Sequence, residues 1–308
     1  MTDKNNKEKL LKDTTERVSK SFDKADELSD SLKEEYQKAL DDIQKEVAAF
    51  YMRYGSENGV TYSAAIKKLS KVDLKKYKSS IEEYSKYLDI NDVGLMAELD
   101  IAAAKAKVIR LEGLIADIQI ELIKLESVKQ IKITKHLTDT FRDNYIGATA
   151  GLKGIVEAKA SFAKINPKLI EETINFPWSG DSFSNIIWND TNKLARELKS
   201  ELVQGFIKGT SAHKMSSNLA KRMGTSYKNA QRVVMTESAH VLNKASLMSY
   251  ADNDVEMVEF LAVLDSRTSS LCFNLNGDIM DIADAVPGKN MPPLHPHCRS
   301  TIIPVIED

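Results

Sequence analysis

The chain has 308 residues, a formal net charge of −2 and an apolar fraction of 42%. Because this length and apolar content are enough to bury a core, the composition indicates an ordinary globular protein of one large or two modest domains. The nearly neutral balance excludes a global attraction to nucleic acid or to an anionic membrane, so any contact with DNA would have to be local.

The N-terminus and the cysteine content indicate a cytosol-like compartment. The first residues, MTDKNNKEKLLKD, lack the apolar run of a secretory signal. No stretch of about 18 uncharged apolar residues occurs, so we expect no membrane segment. The two cysteines, Cys272 and Cys298, are expected to be free thiols or metal ligands, because a disulfide is disfavoured in a reducing compartment.

The first region, residues 1–166, is predicted to consist of elongated amphipathic helices. All seven prolines lie beyond it, and proline is excluded from helix interiors. Apolar residues recur at steps of three, four or seven from Leu11 to Phe50, which predicts a first long helix. Gly55 and Gly59 are expected to end this helix, and Thr61 or Ser63 is expected to cap the next.

Two further helical regions follow in this part of the chain. The first is predicted to end at about Leu88, where the sequence LDINDVG interrupts the helical pattern. The second is predicted to run from Glu98 to about Phe141, with Val108 and Ile131 on its apolar stripe. An antiparallel bundle or hairpin that serves as a scaffold is the favoured interpretation. Self-association through a coiled coil is the alternative.

The rest of the chain is predicted to form a region of short helices, residues 167–252, and a small α+β module, residues 253–308. Gly205, Gly209 and Gly224 are expected to interrupt the helices, the last of which should end near Asp252. EMVEFLAVLD alternates as a strand does, and GDIMDIADA and STIIPVI are weaker strand candidates. The predicted fold class is therefore mainly α, with long helices first and an α+β module last.

The stretch MPPLHPHCRS, residues 291–300, holds the most concentrated chemistry. Together with Cys272, its residues His295, His297 and Cys298 supply the two cysteines and two histidines of a tetrahedral Cys2His2 zinc site. The spacing is poor, because Cys272 stands alone and His297 adjoins Cys298. A partial metal site would use Cys272, His295 and Cys298, with Asp265 or His240. A rigid structural turn is favoured over either site.

An enzyme active site is not predicted. A cysteine nucleophile could take His295 or His240 as its base, but no glycine-rich oxyanion turn lies near either cysteine. The zinc-deaminase pattern, the P-loop and the dinucleotide-binding glycine motif are all absent from the sequence. We therefore predict neither catalytic nor cofactor-binding residues.

Positive charge is concentrated between Lys193 and Arg232, where nine basic residues accompany Glu197 and Glu201. A solvated helix face is the favoured interpretation. A contact with DNA phosphate or with an acidic partner is the alternative, through Lys193, Arg196, Lys199, Lys214, Lys221 and Arg222.

Charged residues around Arg232 and Glu237 are predicted to form an internal polar network. Arg232 and Glu237 lie five positions apart on one predicted helix, close enough in projection to share partners. Those partners are expected to be Asp265 or Arg267.

Several motifs occur in a fixed order along the second half of the chain. They are WSGDSFSNIIW from Trp178 to Trp188, QRVVMTE, LDSRTSSLC, LNG and PPLHPHCR. This order resembles the phage head morphogenesis family, the minor head proteins similar to protein F of phage Mu. The resemblance covers roughly Trp178 to Pro304, and the residues of its structural motif are Trp178, Trp188, Arg232, Glu237, Asp265, Arg267 and Arg299.

The resemblance implies a minor capsid protein that supports head assembly and DNA packaging or ejection. Its expected partners are the portal protein, capsid or scaffolding proteins and phage DNA. Its expected location is the inside of the head near the portal, after assembly in the host cytoplasm. The resemblance implies no enzymatic activity and no certain cofactor, with zinc as the one candidate.

Two other functional classes stay open. The chain could be a delivery or interaction module of an effector or toxin, or a zinc-stabilised nucleic-acid-binding protein. Residues 1–166 argue against an effector, because they contain only His136 and no cysteine where a catalytic cluster would be needed. If the chain is encoded by a prophage remnant in a host chromosome, its genetic context would differ but the chemistry of the protein would not.

The family motifs carry two further cysteines, where this chain has Ser269 and Ser300. The resemblance implies that these two positions are partners and that Cys272 and Cys298 face each other. This departure disfavours a complete zinc site.

We therefore interpret MPPLHPHCRS as a structural latch. Its prolines hold an extended segment, and His295 and Cys298 pack against the segment DSRTSSLC. Arg299 is expected to pair with an acid such as Asp265.

Overall fold

The computed structural model of the protein describes residues 2–56, 60–84, 109–153, 155 and 165–306. Several sequence predictions fall on other residues. These are the stop at Gly59, the helix beyond residue 84 toward Leu88, the LDINDVG punctuation, and the stripe from Glu98 to Val108. They lie outside the described residues.

Long helices form the N-terminal part of the chain, as predicted. Helix α1 spans Thr2–Tyr54 and ends at Gly55, whose N–H donates to the carbonyl of Tyr51 at 2.8 Å. The next helices are α2 (Tyr62–Ala65), α3 (Lys71–Tyr84) and α4 (Arg110–Leu152). The predicted cap is Thr61, whose hydroxyl accepts the N–H of Ala64.

Two positions on the predicted apolar stripes are wrong. Leu11 is 38% exposed and Ile131 is 69% exposed, although most other members of the stripes are buried. A long helix drifts around its axis relative to a strict repeat, so an apolar residue in the sequence pattern can face solvent.

Three helices follow: α5 (Pro167–Asn175), α6 (Phe183–Ile207) and α7 (Ala212–Ala251). The predicted interruptions at Gly205 and Gly224 are wrong, because both glycines lie inside helices. At Gly205 a Cβ atom would lie 2.2 Å from the Cε of Met215, so glycine allows a close approach there. Gly209 does separate two helices and has a φ of +64°.

The C-terminal module is a small antiparallel sheet with one short helix. Its elements are β1 (Met257–Leu261), α8 (Ser270–Leu275), β2 (Ile279–Asp281), a 3-10 turn (Ile282–Asp284) and β3 (Thr301–Val305). The strand order is β2-β1-β3, with Val258 of β1 opposite both Met280 and Pro304. The alternation predicted for β1 is confirmed, since Val258 and Phe260 are buried.

The predicted fold class, mainly α with long N-terminal helices and a C-terminal α+β module, is therefore confirmed. Two details of the strands differ from the prediction. Strand β1 ends at Leu261, and GDIMDIADA contributes only three strand residues before the turn. None of the described helices is long and apolar enough to span a membrane.

The chain divides into two compact units. The first unit comprises Met1–Asp30, Lys132–Ile186 and Ala230–Asp308, and the second comprises Ser31–Ile131 and Ile187–Asn229. Each is assembled from separated segments. The three regions predicted from the sequence are defined by their order along the chain. Their assignment as three separate domains stays a prediction.

The first unit holds the C-terminal module against its helices. One apolar core joins helical residues such as Leu152 and Tyr250 to Val258 and Ile302 of the sheet. The side-chain amide of Asn243 on α7 donates to the carbonyl of Ser300 at 3.2 Å, and its oxygen accepts the hydroxyl of Thr301 at 2.9 Å. Because Asn243 is fully buried, these bonds fix the start of β3 on α7.

The second unit contains a buried charged cluster. Lys129 is 1% exposed, and its ammonium group contacts the Glu126 carboxylate at 2.8 Å, the Thr191 hydroxyl at 2.8 Å and the Tyr36 hydroxyl at 3.4 Å. Thr191 in turn donates to Glu126. The three protons of the lysine thus each have a neighbouring oxygen.

Candidate functional site

Three side chains from MPPLHPHCRS and α8 meet in the first unit. Cys272 lies on α8, where the hydroxyl of Ser269 accepts its N–H at 3.2 Å and caps the helix. His295 and Cys298 lie in the loop before β3. Both cysteines are free and buried, at 2% and 0% exposure, and they belong to a small apolar cluster with Phe260.

The donor atoms of these three residues converge. The Sγ atoms of Cys272 and Cys298 are 3.6 Å apart, and the Nε2 atom of His295 is 3.3 Å from the Sγ of Cys272. All three donor atoms lie within 4.8 Å of one another. This arrangement, which we call the Cys–His–Cys group, could hold a metal ion. It also confirms that the two cysteines face each other and that the loop packs on the α8 segment.

The orientation of His295 is set by its other ring nitrogen. Nδ1 lies 2.8 Å from the carbonyl oxygen of Pro296, which can only accept a hydrogen bond. Nδ1 therefore carries the proton and donates, which leaves the lone pair of Nε2 directed toward Cys272. This is the second contact that metal-binding histidines usually make.

The larger ligand sets considered from the sequence are not assembled. Within the part of the chain that the structure describes, the group has no fourth member. His297 is exposed, has a φ of +59°, and is held by its backbone N–H on the hydroxyl of Thr236. Asp265 pairs with Arg267 at 3.0 Å, and His240 stacks on Trp178.

Electrostatics at Cys298 favour the neutral thiol when no cation is bound. Burial, followed in smaller measure by the neighbouring Cys272, raises the pKa of the Cys298 thiol. Backbone N–H groups at Leu294 and Ser300 act in the opposite direction, because they stabilise a thiolate. A cation would add to that second effect, since a bound metal deprotonates its thiol ligands.

A cavity of about 480 Å³ opens beside the group. Cys272 and His295 line it, whereas Cys298 does not. Its polar walls include the two positions at which the family has cysteines, together with charged groups: Asp265, Arg267, Ser269, Arg299 and Ser300. Ser269 and Ser300 thus face one cavity, in keeping with the interpretation of these positions as neighbours.

The predicted pairing of Arg299 with Asp265 is wrong. Arg299 lies over the ring of Phe22 at 5.9 Å, and Asp265 takes Arg267 as its partner instead. Backbone and side-chain hydrogen bonds from Arg267 lower the pKa of Asp265, and the more distant charge of Arg299 adds a smaller effect. Residues two positions apart in a tight turn meet more easily than residues in separate loops.

The predicted network of Arg232 and Glu237 is also wrong. Arg232 is exposed, and Glu237 accepts the indole N–H of Trp178 at 3.0 Å. Burial raises the pKa of Glu237 to about 7. Trp178 also stacks on His240 with ring centres 5.1 Å apart. The Trp178 of the family motif therefore fastens the turn before α6 to helix α7.

His240 is a buried histidine without hydrogen bonds. Neither ring nitrogen has a partner among the described residues, and burial lowers the pKa of the imidazole to about 3. The ring is therefore neutral at physiological pH. Trp188, the second tryptophan of the motif, is half-buried on α6.

The basic residues proposed for DNA or portal contact lie on α6 and α7 within the second unit. Their side chains are exposed: Lys193, Arg196, Lys199, Lys214, Lys221 and Arg222. Arg222 is engaged with Glu197 at 3.4 Å and Glu201 at 3.8 Å. Their role stays a prediction.

Comparison with known proteins gives one family match. Residues 196–303 match the family model described as Phage Mu protein F like protein. The searches of curated proteins and of solved structures gave no match. The matched segment contains α7, strands β1 and β2, the first three residues of β3 and the whole Cys–His–Cys group. It suggests a phage head morphogenesis protein with capsid-related partners and an association with the virion. Residues 196–303 are thus similar to phage Mu protein F, which confirms the resemblance to the phage head morphogenesis family over this part of the chain.

Proposed function

We propose that this chain is a minor capsid protein that joins the portal on the inside of the procapsid and acts there in assembly, packaging or ejection, without catalysing a reaction. The observation that carries the proposal is the family match over residues 196–303. The long helices support a scaffold role, because they offer extended surfaces for protein contacts.

The C-terminal module has an apolar surface that suits a protein partner. Four large apolar side chains in the segment from the loop after β1 to β2 are more than half exposed: Leu264 at 60%, Leu271 at 58%, Phe273 at 63% and Ile279 at 56%. We call them the α8 surface. Exposed apolar residues that are close along a small module are typical of an interaction site. We propose that this surface contacts the portal.

Zinc is the metal we propose for the Cys–His–Cys group. Thiolate sulfur and imidazole nitrogen are preferred zinc ligands, whereas calcium and magnesium prefer oxygen. In an assembly protein the ion would fasten α8 to the loop before β3. Metal analysis of the purified chain should return about one zinc per chain, and a metal-free, fully folded protein would refute this part of the proposal.

Genetic complementation tests the assembly role. A phage with a nonsense codon in the gene for this chain should produce few infectious particles, and the wild-type chain supplied in trans should restore them. The double variant Leu271→Asp/Phe273→Asp should fail to restore them and should be missing from purified heads. Val72→Asp is the matched control, because Val72 is 79% exposed on α3, which belongs to the second unit.

Two results would contradict the proposal. One is a normal yield of infectious particles without the chain. The other is full complementation by the double variant. This result would refute the contact of the α8 surface with the portal and leave the role in head assembly in place.

A further inference from the structure

The Cys–His–Cys group has the spacing of three corners of a tetrahedral zinc site. With Zn–S near 2.3 Å and Zn–N near 2.0–2.1 Å, tetrahedral angles place two sulfurs about 3.8 Å apart and a sulfur and a nitrogen about 3.6 Å apart. The observed separations are 3.6 Å between Cys272 and Cys298 and 3.3 Å between Cys272 and His295. A small outward shift of the side chains would admit the ion.

Three ligands leave one corner of the tetrahedron to be filled. No other cysteine, histidine or acidic side chain described by the structure joins the three within ligand distance. Structural zinc sites normally have four protein ligands, whereas a site with three keeps one position for water or another small ligand.

The cavity reaches two of the three ligand residues. Cys272 and His295 line the cavity of about 480 Å³, whereas the fully buried Cys298 does not. An exchangeable ligand could therefore reach the ion from the side of Cys272 and His295. The volume is large enough for a carboxylate or a phosphate group.

The charges around the cavity favour a negative ligand. Two thiolates balance the charge of Zn²⁺, and Asp265 balances Arg267 at 3.0 Å. Arg299 also lines the cavity, and no acidic side chain among the described residues forms an ion pair with it. The positive charge of Arg299 is therefore uncompensated at the cavity. Its planar guanidinium group can bind two oxygen atoms of an oxyanion side by side.

We propose that Cys272, His295 and Cys298 form a three-ligand zinc site whose fourth position, open to the cavity, binds an exchangeable oxyanion beside Arg299. The ligand is either a carboxylate of a protein partner or a phosphate. This inference rests on the proposed zinc and not on the assembly role, since it concerns the isolated chain.

Cobalt substitution tests the coordination. The purified full chain is stripped of metal, loaded with Co²⁺ and examined by visible absorption, because four-coordinate cobalt with thiolate ligands absorbs strongly. The expected result is a four-coordinate spectrum with thiolate-to-cobalt bands, which shifts on addition of acetate or inorganic phosphate. A shift with acetate alone assigns the position to a carboxylate, and a shift with phosphate alone assigns it to a phosphate.

A matched pair of histidine variants controls for folding. His295→Asn should lose the cobalt spectrum, and His297→Asn should keep it, because His297 lies outside the group and asparagine tolerates its positive φ. Arg299→Gln should keep the spectrum and weaken the anion response by at least about tenfold, which corresponds to one charge-assisted contact.

The failures are distinguishable. A chain that binds no cobalt overturns both the zinc proposal and this inference. A thiolate–cobalt spectrum that neither anion changes overturns the open position alone and leaves the zinc in place. An equal anion response in Arg299→Gln overturns the role of the arginine. None of these results bears on whether the chain is a head protein.

Discussion

The buried cluster around Lys129 in the second unit and the Cys–His–Cys group in the first unit are both polar and both buried, yet they differ in how their atoms are satisfied. Lys129 is a donor surrounded by oxygen acceptors of Glu126, Thr191 and Tyr36. The Cys–His–Cys group brings together atoms that all have lone pairs to offer.

This difference separates a fold-determining cluster from a ligand site. In the Lys129 cluster burial disfavours the charged form, but contacts with Tyr36 and Glu126 outweigh that effect and raise the pKa of the lysine. The charge is therefore compensated within the protein. Three convergent donors of electron pairs are compensated best by a cation from outside.

The largest expected effect comes from breaking the Lys129 cluster. Lys129→Met should lower the free energy of unfolding by about 3–5 kcal/mol, because it leaves the Glu126 carboxylate buried without its partner. Lys124→Met is the matched control on the same helix, since Lys124 pairs with Glu121 at the surface and should cost less than about 1 kcal/mol. Urea unfolding measures both, and equal losses would show that the cluster is not the special feature of this unit.

The next effect concerns pH and the Trp178–Glu237 pair. Because the pKa of Glu237 in the folded protein is raised to about 7 from 4.5, its contribution to stability is present below about pH 4.5 and is lost as the pH rises through 7. Above pH 7 Glu237→Gln should therefore be more stable than the wild type, by at most about 3 kcal/mol. Glutamine keeps an oxygen for the Trp178 indole.

His240 acts in the opposite direction in the wild type. Its pKa is lowered to about 3, so its contribution is present above the unfolded value of 6.5 and is lost as the pH falls toward 3. The wild type and Glu237→Gln both contain His240, so the contribution of His240 cancels in the difference between their free energies of unfolding. Unfolding curves at several pH values measure the difference, and the exposed Glu171→Gln serves as control. A constant difference between pH 4 and 8 would refute the buried, raised pKa.

Removal of metal should distinguish the two clusters directly. If free zinc is about a hundred times its dissociation constant, binding stabilises the chain by about 2.7 kcal/mol, and a chelator should remove that amount. The same chelator should leave His295→Asn unchanged, because the bound ion is already lost. Thermal unfolding with and without chelator measures this, and an identical loss in the two proteins would place the metal elsewhere.

The smallest effect on stability is expected at the α8 surface. Phe273→Ser should change the free energy of unfolding by less than about 0.5 kcal/mol, because the side chain is 63% exposed. Its effect should appear instead in incorporation into heads. A large loss of stability in chemical unfolding would show that Phe273 serves the fold and not a partner.

Sequence periodicity predicted the helices because burial on one side of a helix leaves a local, repeating pattern. The end at Gly55 and the cap at Thr61 could be read in the same way, since each depends on neighbours within one turn. The interruptions at Gly205 and Gly224 could not. Whether a glycine ends a helix or admits a neighbour such as Met215 depends on residues that are distant along the chain.

The site shows the same limit. Proximity of His295 and Cys298 within one proline-rich loop indicated a local constellation, and the two-cysteine inventory pointed to Cys272 as its partner. The pairing of Trp178 with Glu237 was not predicted, because charge alone suggested a network of Glu237 and Arg232 with Asp265 or Arg267. Asn243 was missed entirely, since nothing in the sequence marks an asparagine that spans from a helix to the start of a strand.

The proposed function makes this chain a component of a phage head. Quantitative mass spectrometry of purified procapsids, filled heads and emptied heads from the phage that encodes it tests this most directly. We expect its peptides at a few copies per portal in procapsids and filled heads, and their loss on emptying would identify an ejected protein. Absence of the chain from every particle would contradict the claim.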